Sequence, residues 1–281
     1  MKINIFSQIK SFLEPFYDKW FKFINIIPKR IRVVICTGIM MLTLLVSSFF
    51  PFSEWWWFFG IVLVIVAYAT TYIAVFEGID GVEWYMLFIM PIFLTIALYI
   101  FYSLLPVRWL TRIPFLFLFG LTYYAMLLAS NILNIGVDKS LQLYRAAFSV
   151  NYLMQVFIVF LLTQVSLTFK LSFILNGIVL FVIGLILSLQ LYWSVNPEAT
   201  FNKKLLLYGI GMGLVLLEIA AIISFIPYKT NVAALIYTAL YYSLNGIIYH
   251  YLDGRLFKNT VREYAFVSIF VFFIALLTLN W

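Results

Sequence analysis

The stretch "LSFILNGIVLFVIGLILSLQLYWS" (residues 171–194) carries no charged residue and is long enough to cross a bilayer as a single helix. A hydrocarbon core about 30 Å thick requires about 20 predominantly apolar residues, because an α-helix rises about 1.5 Å per residue. The apolar run is continuous rather than alternating, which favours a helix over a membrane strand. This stretch therefore predicts a transmembrane helix.

Comparable apolar runs recur along all 281 residues, of which 65% are hydrophobic and 10% are charged. A soluble domain carries about a quarter charged residues, so this composition excludes that class. We predict an all-α fold, a polytopic transmembrane helix bundle of about nine spans. The spans are expected near residues 32–50, 55–76, 84–105, 113–135, 146–169, 171–194, 205–226, 232–252 and 264–281. The least marked boundary is Lys170, a single charge between the fifth and sixth spans.

The distribution of Lys and Arg predicts the orientation of the bundle. With the N-terminus in the cytoplasm, most of the 18 basic residues fall on the cytoplasmic side, as the positive-inside rule requires. The outer loops are then expected to hold Arg108, Arg112, Lys170 and Lys229. The pair Arg108 and Arg112 runs locally against this orientation.

Residues 1–30 form a separate segment in this interpretation, ahead of a bundle over residues 31–281. Apolar residues recur there at helical spacing with lysines between them, which is typical of a helix lying in the membrane interface. Anionic lipid is the expected partner of its basic residues. Topology and lipid explain the net charge of +7, and no soluble basic face is available for a nucleic acid. The apolar positions are Ile5, Ile9, Phe12, Phe16, Trp20, Phe23 and Ile27.

Several familiar chemistries lack the residues they need. The chain has one cysteine, Cys36, and one histidine, His250, which excludes Cys-based and multi-histidine metal sites. Neither a nucleophile elbow nor a phosphate-binding loop is present, so we expect no cofactor, and the sequence favours a protein that is not an enzyme. "GIGMG" lies inside a predicted span, where Gly209 and Gly213 have the spacing of close helix packing.

Glu218 is the acid that the predicted seventh span carries within its apolar run. A charged residue at the bilayer centre costs roughly 2.5–3.5 kcal/mol on insertion scales, and no Lys or Arg lies deep in a span to pair with it. On a helical projection Glu218 lies opposite Gly209 and Gly213. We expect this helix to lie inside the bundle, with Glu218 buried and binding a proton or a small solute.

Polar residues on other spans could form a seam around Glu218. The eighth span carries four polar residues on one helical face, and the fifth and sixth spans each carry two on one face. One interpretation is a path for a proton or small solute. The other is interhelical hydrogen bonding, which contributes about 0.6 kcal/mol per contact on average. The candidates are Thr238, Tyr241, Asn245 and Tyr249, then Asn151 and Gln155, then Asn176 and Gln190.

Two loop clusters are further candidates. Glu77, Asp80 and Glu83 could bind a divalent cation through oxygen ligands, but they lack the spacing of a calcium-binding loop, so a solvated acidic turn is the favoured explanation. At the cytoplasmic end of the eighth span, His250 and Asp253 are three residues apart and Arg255 follows. Phosphate or a lipid headgroup could bind there, but topology and helix capping are the favoured explanation of these residues.

The stretch "YYSLNGIIYHYLDGR…VREYAFVSIF" resembles the C-terminal part of bacterial multi-pass membrane protein families without an assigned function. The resemblance covers about the last fifth of the chain. It implies a protein of the bacterial inner membrane and carries over no activity.

Three functional hypotheses follow from these residues. The first is a transporter-like protein that moves a proton or small solute past Glu218. The second is a membrane scaffold or a subunit of a membrane complex, with protein partners that the sequence does not identify. The third is a lipid-active enzyme that uses His250 and Asp253.

Overall fold

The computed structural model describes residues 28–75, 83–106, 108–134, 142–197 and 203–278, which form nine α-helices and no strand. Each of these helices is long and apolar enough to cross a membrane. The predicted all-α polytopic bundle is therefore confirmed. The predicted interfacial helix lies outside the described residues. The helices are α1 (Lys29–Ser47), α2 (Phe52–Val75), α3 (Glu83–Tyr102), α4 (Trp109–Asn134), α5 (Gln142–Thr168), α6 (Phe173–Trp193), α7 (Lys203–Ser224), α8 (Thr230–Leu252) and α9 (Lys258–Leu277).

The break between α5 and α6 falls at Lys170, as the sequence predicted. Lys170 has φ +50°, a left-handed conformation that ends a helix and is uncommon for a residue other than glycine. Ser172 then caps α6, since its hydroxyl accepts a hydrogen bond from the N–H of Leu175. The two long apolar runs are thus separate spans.

Helix α5 lies at the centre of the bundle, where it packs against α3, α4, α6 and α8. Helices α6 and α7 share an extensive and close contact. A Cβ atom on Gly213 would lie 2.8 Å from the carbonyl oxygen of Phe181, and one on Gly209 would lie 3.3 Å from the carbonyl oxygen of Leu185. The predicted close-packing role of Gly209 and Gly213 is confirmed, because only the missing side chains allow this approach.

Two helices lie at the periphery. Helix α9 packs against α8 and buries only Ala275 among its described side chains. It begins at Lys258, several residues before the predicted span, because the helix continues beyond its apolar part. Helix α7 packs against α6 through the face that carries Gly209 and Gly213, and it also contacts α8. Its opposite face is exposed on the outside of the bundle.

Arg112 belongs to the buried part of the bundle, so its assignment to an outer loop is wrong. It lies in the first turns of α4 with 7% of its surface exposed. Its Nη2 donates to the carbonyl oxygen of Ser48 over 2.9 Å, and its guanidinium carbon lies 4.4 Å from the centre of the Phe49 ring. A buried guanidinium is tolerated when its donors are paired and its planar face stacks on an aromatic ring. Arg112 thus ties α4 to the end of α1.

Candidate functional site

Three amide side chains meet in the core between α5 and α6. Asn151 and Gln155 lie one turn apart on α5, and both donate through their amide nitrogens to Oε1 of Gln190. The distance from Nδ2 of Asn151 to that oxygen is 3.1 Å. All three side chains are buried. Polar groups removed from water need such partners, because an unpaired amide in an apolar environment is costly.

Helix α8 extends this network through two buried residues. The hydroxyl of Tyr241 donates to Oε1 of Gln155 over 2.9 Å. One turn further along, Oδ1 of Asn245 accepts a 2.6 Å hydrogen bond from the hydroxyl of Tyr192 on α6. Together these side chains link three helices, and we refer to them as the amide cluster: Asn151, Gln155, Gln190, Tyr192, Tyr241 and Asn245.

A cavity of about 600 Å³ opens beside the amide cluster, where the ends of α5, α6, α8 and α9 meet. Tyr152 connects the α5 and α8 walls of this cavity, because its hydroxyl donates to the carbonyl oxygen of Tyr242. We refer to this cavity as the tyrosine pocket. Its lining includes Tyr144, Tyr152, Tyr242, Tyr249, Tyr264, Arg145, His250, Asp253 and Arg255.

Aromatic rings in contact form much of the wall of the tyrosine pocket. The rings of Phe148 and Tyr249 are stacked with their centres 4.0 Å apart, and the ring centres of Tyr242 and Tyr264 are 5.2 Å apart. Gly246 allows α9 to close this wall, because a Cβ atom there would overlap the Tyr264 ring. The pocket therefore combines flat apolar surfaces with phenolic hydroxyls.

The predicted cluster of His250, Asp253 and Arg255 lies at one edge of the tyrosine pocket. Gly254 has φ +69° and ends α8, and the N–H of Arg255 donates to the carbonyl oxygen of His250 over 2.9 Å. This is the geometry of a glycine-terminated helix cap. Oδ2 of Asp253 lies 3.5 Å from Nε of Arg255. The stretch caps α8 and at the same time brings both signs of charge to the pocket.

A second pocket of about 330 Å³ lies at the other end of α5, α6 and α8. Asn176 on α6 and Tyr237 on α8 contribute to its lining. Oδ1 of Asn176 accepts a 2.7 Å hydrogen bond from the hydroxyl of Ser166 on α5. We refer to this cavity as the opposite pocket. Asn176 and Gln190 share a face of α6, as the sequence indicated, but they lie at different depths.

Two further seam candidates have separate surroundings. The hydroxyl of Thr238 donates to the carbonyl oxygen of Ala234 within its own helix over 2.7 Å. Tyr249 lines the tyrosine pocket rather than the amide cluster. The eight polar seam candidates are therefore divided: most belong to the amide cluster or to one of the two pockets, and Thr238 forms a hydrogen bond within α8.

Glu218 is exposed on the outer surface of α7, so the prediction that it is buried within the bundle is wrong. The helical projection correctly predicted that Glu218 lies opposite Gly209 and Gly213. The error concerned which face turns inward: the glycine face packs against α6, so the face of Glu218 turns outward. The amide cluster forms without Glu218.

Residues 76–278 match a family described as "Protein of unknown function (DUF5656)", a region that contains α3 to α9. The chain belongs to the DUF5656 family. The resemblance to a membrane protein family without an assigned function is thus confirmed, and it extends far beyond the C-terminal fifth. Both pockets and the amide cluster lie within the DUF5656 region. No curated protein and no solved structure matches the chain.

Sequence reasoning missed several tyrosines of this DUF5656 protein, although their spacing carried a signal. Tyr144, Phe148 and Tyr152 recur every four residues on α5, so they share one face and contribute together to the tyrosine pocket. Tyr192 follows Gln190 by two residues and reaches Asn245 from a different face of α6. That contact depends on how α6 and α8 cross, which spacing within one helix does not contain.

The candidate cation site at the acidic loop falls largely outside what the structure describes. Glu77 and Asp80 lie outside the described residues, as does the side chain of Glu83. Among the residues that are described, no three His, Cys, Asp or Glu side chains come together as metal ligands. The candidate functional site of the DUF5656 protein is therefore the amide cluster with its two flanking pockets.

Proposed function

We propose that this multi-pass DUF5656 protein is transporter-like and moves a small polar solute along the seam between α5, α6 and α8. The observation that carries the proposal is one face of α8, where Tyr237, Tyr241, Asn245 and Tyr249 follow at four-residue spacing. Tyr237 lines the opposite pocket, the next two residues belong to the amide cluster, and Tyr249 lines the tyrosine pocket. This face connects both pockets over about 18 Å of helix.

Interhelical hydrogen bonding is the competing explanation for the amide cluster. Such bonds contribute about 0.6 kcal/mol each on average, and they occur widely in membrane bundles. Bonds that serve only to hold helices together have no reason to concentrate between two cavities. Here the six side chains lie on the three helices whose opposite ends carry the pockets. That arrangement favours a route for a polar molecule.

The composition of the seam favours a solute over a proton. The six residues of the amide cluster include no carboxylate and no imidazole, and Glu218 faces outward from α7. Amides and hydroxyls can both donate and accept hydrogen bonds, which suits a neutral polar group on the solute. The stacked rings of the tyrosine pocket suit a flat or apolar part of the same molecule.

We infer that the tyrosine pocket opens to the cytoplasm, with the protein in a bacterial inner membrane. Basic residues cluster at the helix ends on this side of the bundle, and the positive-inside rule assigns such ends to the cytoplasm. These residues are Arg145, Lys203, Lys204, Arg255, Lys258 and Arg262.

Cysteine accessibility tests the proposal without knowledge of the solute. Ser188 on α6 is buried beside the hydroxyls of Tyr192 and Tyr241. In a Cys36→Ser background, Ser188→Cys places one thiol in the seam with little change in volume. We expect a small, charged methanethiosulfonate reagent to modify it in the folded protein in detergent, as measured by intact mass.

The native protein supplies the matched control, because Cys36 is equally buried but lies in α1, away from the seam. Both thiols should react fully after unfolding in SDS, and only the seam thiol should react before it. Equal protection of the two thiols in folded protein would overturn the proposal and leave hydrogen bonding between helices as the role of the cluster. Asn245→Cys on α8 provides a second buried position, one that lies within the amide cluster itself, if Ser188→Cys does not fold.

A further inference from the structure

The outer face of α7 carries an acid within an apolar stripe. Leu207, Leu214 and Ile222 are 70%, 46% and 62% exposed, and Gly211 and Glu218 are exposed with them. At 100° per residue these five positions fall within an arc of about 80°. Their spacing of three and four residues is that of a helix face that packs against another helix.

The position of Glu218 makes this face unsuited to lipid alone. It lies six residues before the end of α7 at Ser224, and the exposed Phe225 and the following Ile226 continue the apolar stretch. The carboxyl group therefore lies within the hydrocarbon core, where acidic residues almost always face protein or a water-filled cavity and pair with another polar group. A partner that covers the face must offer a hydrogen-bonding group at the depth of Glu218.

We propose that a second copy of this chain packs α7 against α7 and that the two Glu218 carboxyl groups pair across the interface. A two-fold axis along the membrane normal brings each residue of the stripe opposite the same stripe, so both acids lie at one depth. A carboxylic acid group both donates and accepts hydrogen bonds, so two such groups at one depth are complementary to each other.

Gly211 gives this face the space that a close approach needs. A Cβ atom there would have no neighbour within 4 Å, in contrast to Gly213 two residues later, which is already in contact with α6. Small residues at a membrane helix interface let two backbones approach. The exposed face of α9 is the larger apolar surface, but its stripe of Phe266, Phe270 and Phe273 offers no hydrogen-bonding side chain to an acid.

Disulfide crosslinking in native membranes tests this interface. In the Cys36→Ser background, Leu214→Cys lies on the proposed interface, and Phe270→Cys on α9 is a control of similar exposure, 53% against 46%. We expect oxidation with copper phenanthroline to give a disulfide-linked dimer with Leu214→Cys and none with Phe270→Cys. Glu218→Leu should reduce the dimer fraction about tenfold, whereas Glu218→Gln should retain it, because an amide pairs with itself as a carboxylic acid does.

Stability and mass measurements separate a lost interface from a lost fold. Because Glu218 is exposed in the single chain, Glu218→Leu should leave the melting temperature of the detergent-solubilised monomer unchanged while native mass spectrometry of the variant shows fewer dimers. Equal crosslinking at Leu214→Cys and Phe270→Cys would overturn the proposal. So would an unchanged dimer fraction in Glu218→Leu.

Discussion

Replacing Gln155 with Leu should destabilise the bundle by about 2 kcal/mol. The two side chains are similar in size, so the main loss is polar: the amide nitrogen no longer donates to Gln190, and Tyr241 loses the acceptor of its 2.9 Å hydrogen bond. Two membrane hydrogen bonds at about 0.6 kcal/mol each give about 1 kcal/mol. Leaving the hydroxyl of Tyr241 buried without an acceptor adds about 1 kcal/mol.

The free energy of unfolding in mixed micelles, titrated with SDS, measures this effect. Gln164→Leu is the matched control, because Gln164 is only partly buried on α5 and donates a single hydrogen bond, of 2.6 Å, to Asn231. It should cost no more than about 1 kcal/mol. A double-mutant cycle of Gln155→Leu with Tyr241→Phe should show coupling, since both changes remove one shared bond. Equal costs for the two glutamines, or an additive cycle, would refute the reasoning.

The remaining predictions concern backbone positions and are measured in the same SDS titration. Gly213→Ala should destabilise the bundle by at least about 1 kcal/mol, because its Cβ would lie 2.8 Å from the carbonyl oxygen of Phe181. Gly211→Ala on the open face is the control and should not destabilise the bundle. Equal effects of the two substitutions would contradict the α6–α7 packing. Gly254→Ala should lower the free energy of unfolding by about 1 kcal/mol, because Gly254 has φ +69°, which is strained for alanine. A gain in stability would contradict the role of Gly254 in the cap of α8.

The spans were predictable because length and apolar composition are enough to identify a membrane helix in a sequence. The break at Lys170 is an example: one charge between two apolar runs was enough to divide them, and the chain reverses there through a positive φ. Arg112 shows the limit of the same rule. The rule assigns a charged residue to a loop, but a guanidinium that stacks on Phe49 and donates to the carbonyl oxygen of Ser48 is stable inside the bundle.

The orientation of α7 could not be predicted, because both of its faces are apolar. In a soluble protein the apolar face of a helix turns inward, but in a bilayer lipid and protein interior are equally apolar. The expected cost of Glu218 in lipid argued for burial, whereas close packing at Gly209 and Gly213 decided which face meets α6. An acid facing outward is then a feature that calls for a partner.

Helical spacing predicted which face of each helix carries the polar residues, but it did not predict which of them meet at the same depth in the bundle. Asn176 and Gln190 share a face of α6, yet fourteen residues separate them along the chain, which corresponds to about 21 Å of helix. They consequently belong to the opposite pocket and the amide cluster respectively. The contact of Tyr192 with Asn245 depends on the crossing of α6 and α8, which a single helical projection does not contain.

The most direct test of the proposed transport route is modification of Ser188→Cys, in the Cys36→Ser background, from each side of the membrane separately. Right-side-out and inverted vesicles are treated with the same membrane-impermeant thiol reagent, and the modified fraction is measured by mass. A route between the two pockets predicts modification from both sides, because each pocket opens at its own end of α5, α6 and α8. Modification from one side alone, or from neither, would contradict it.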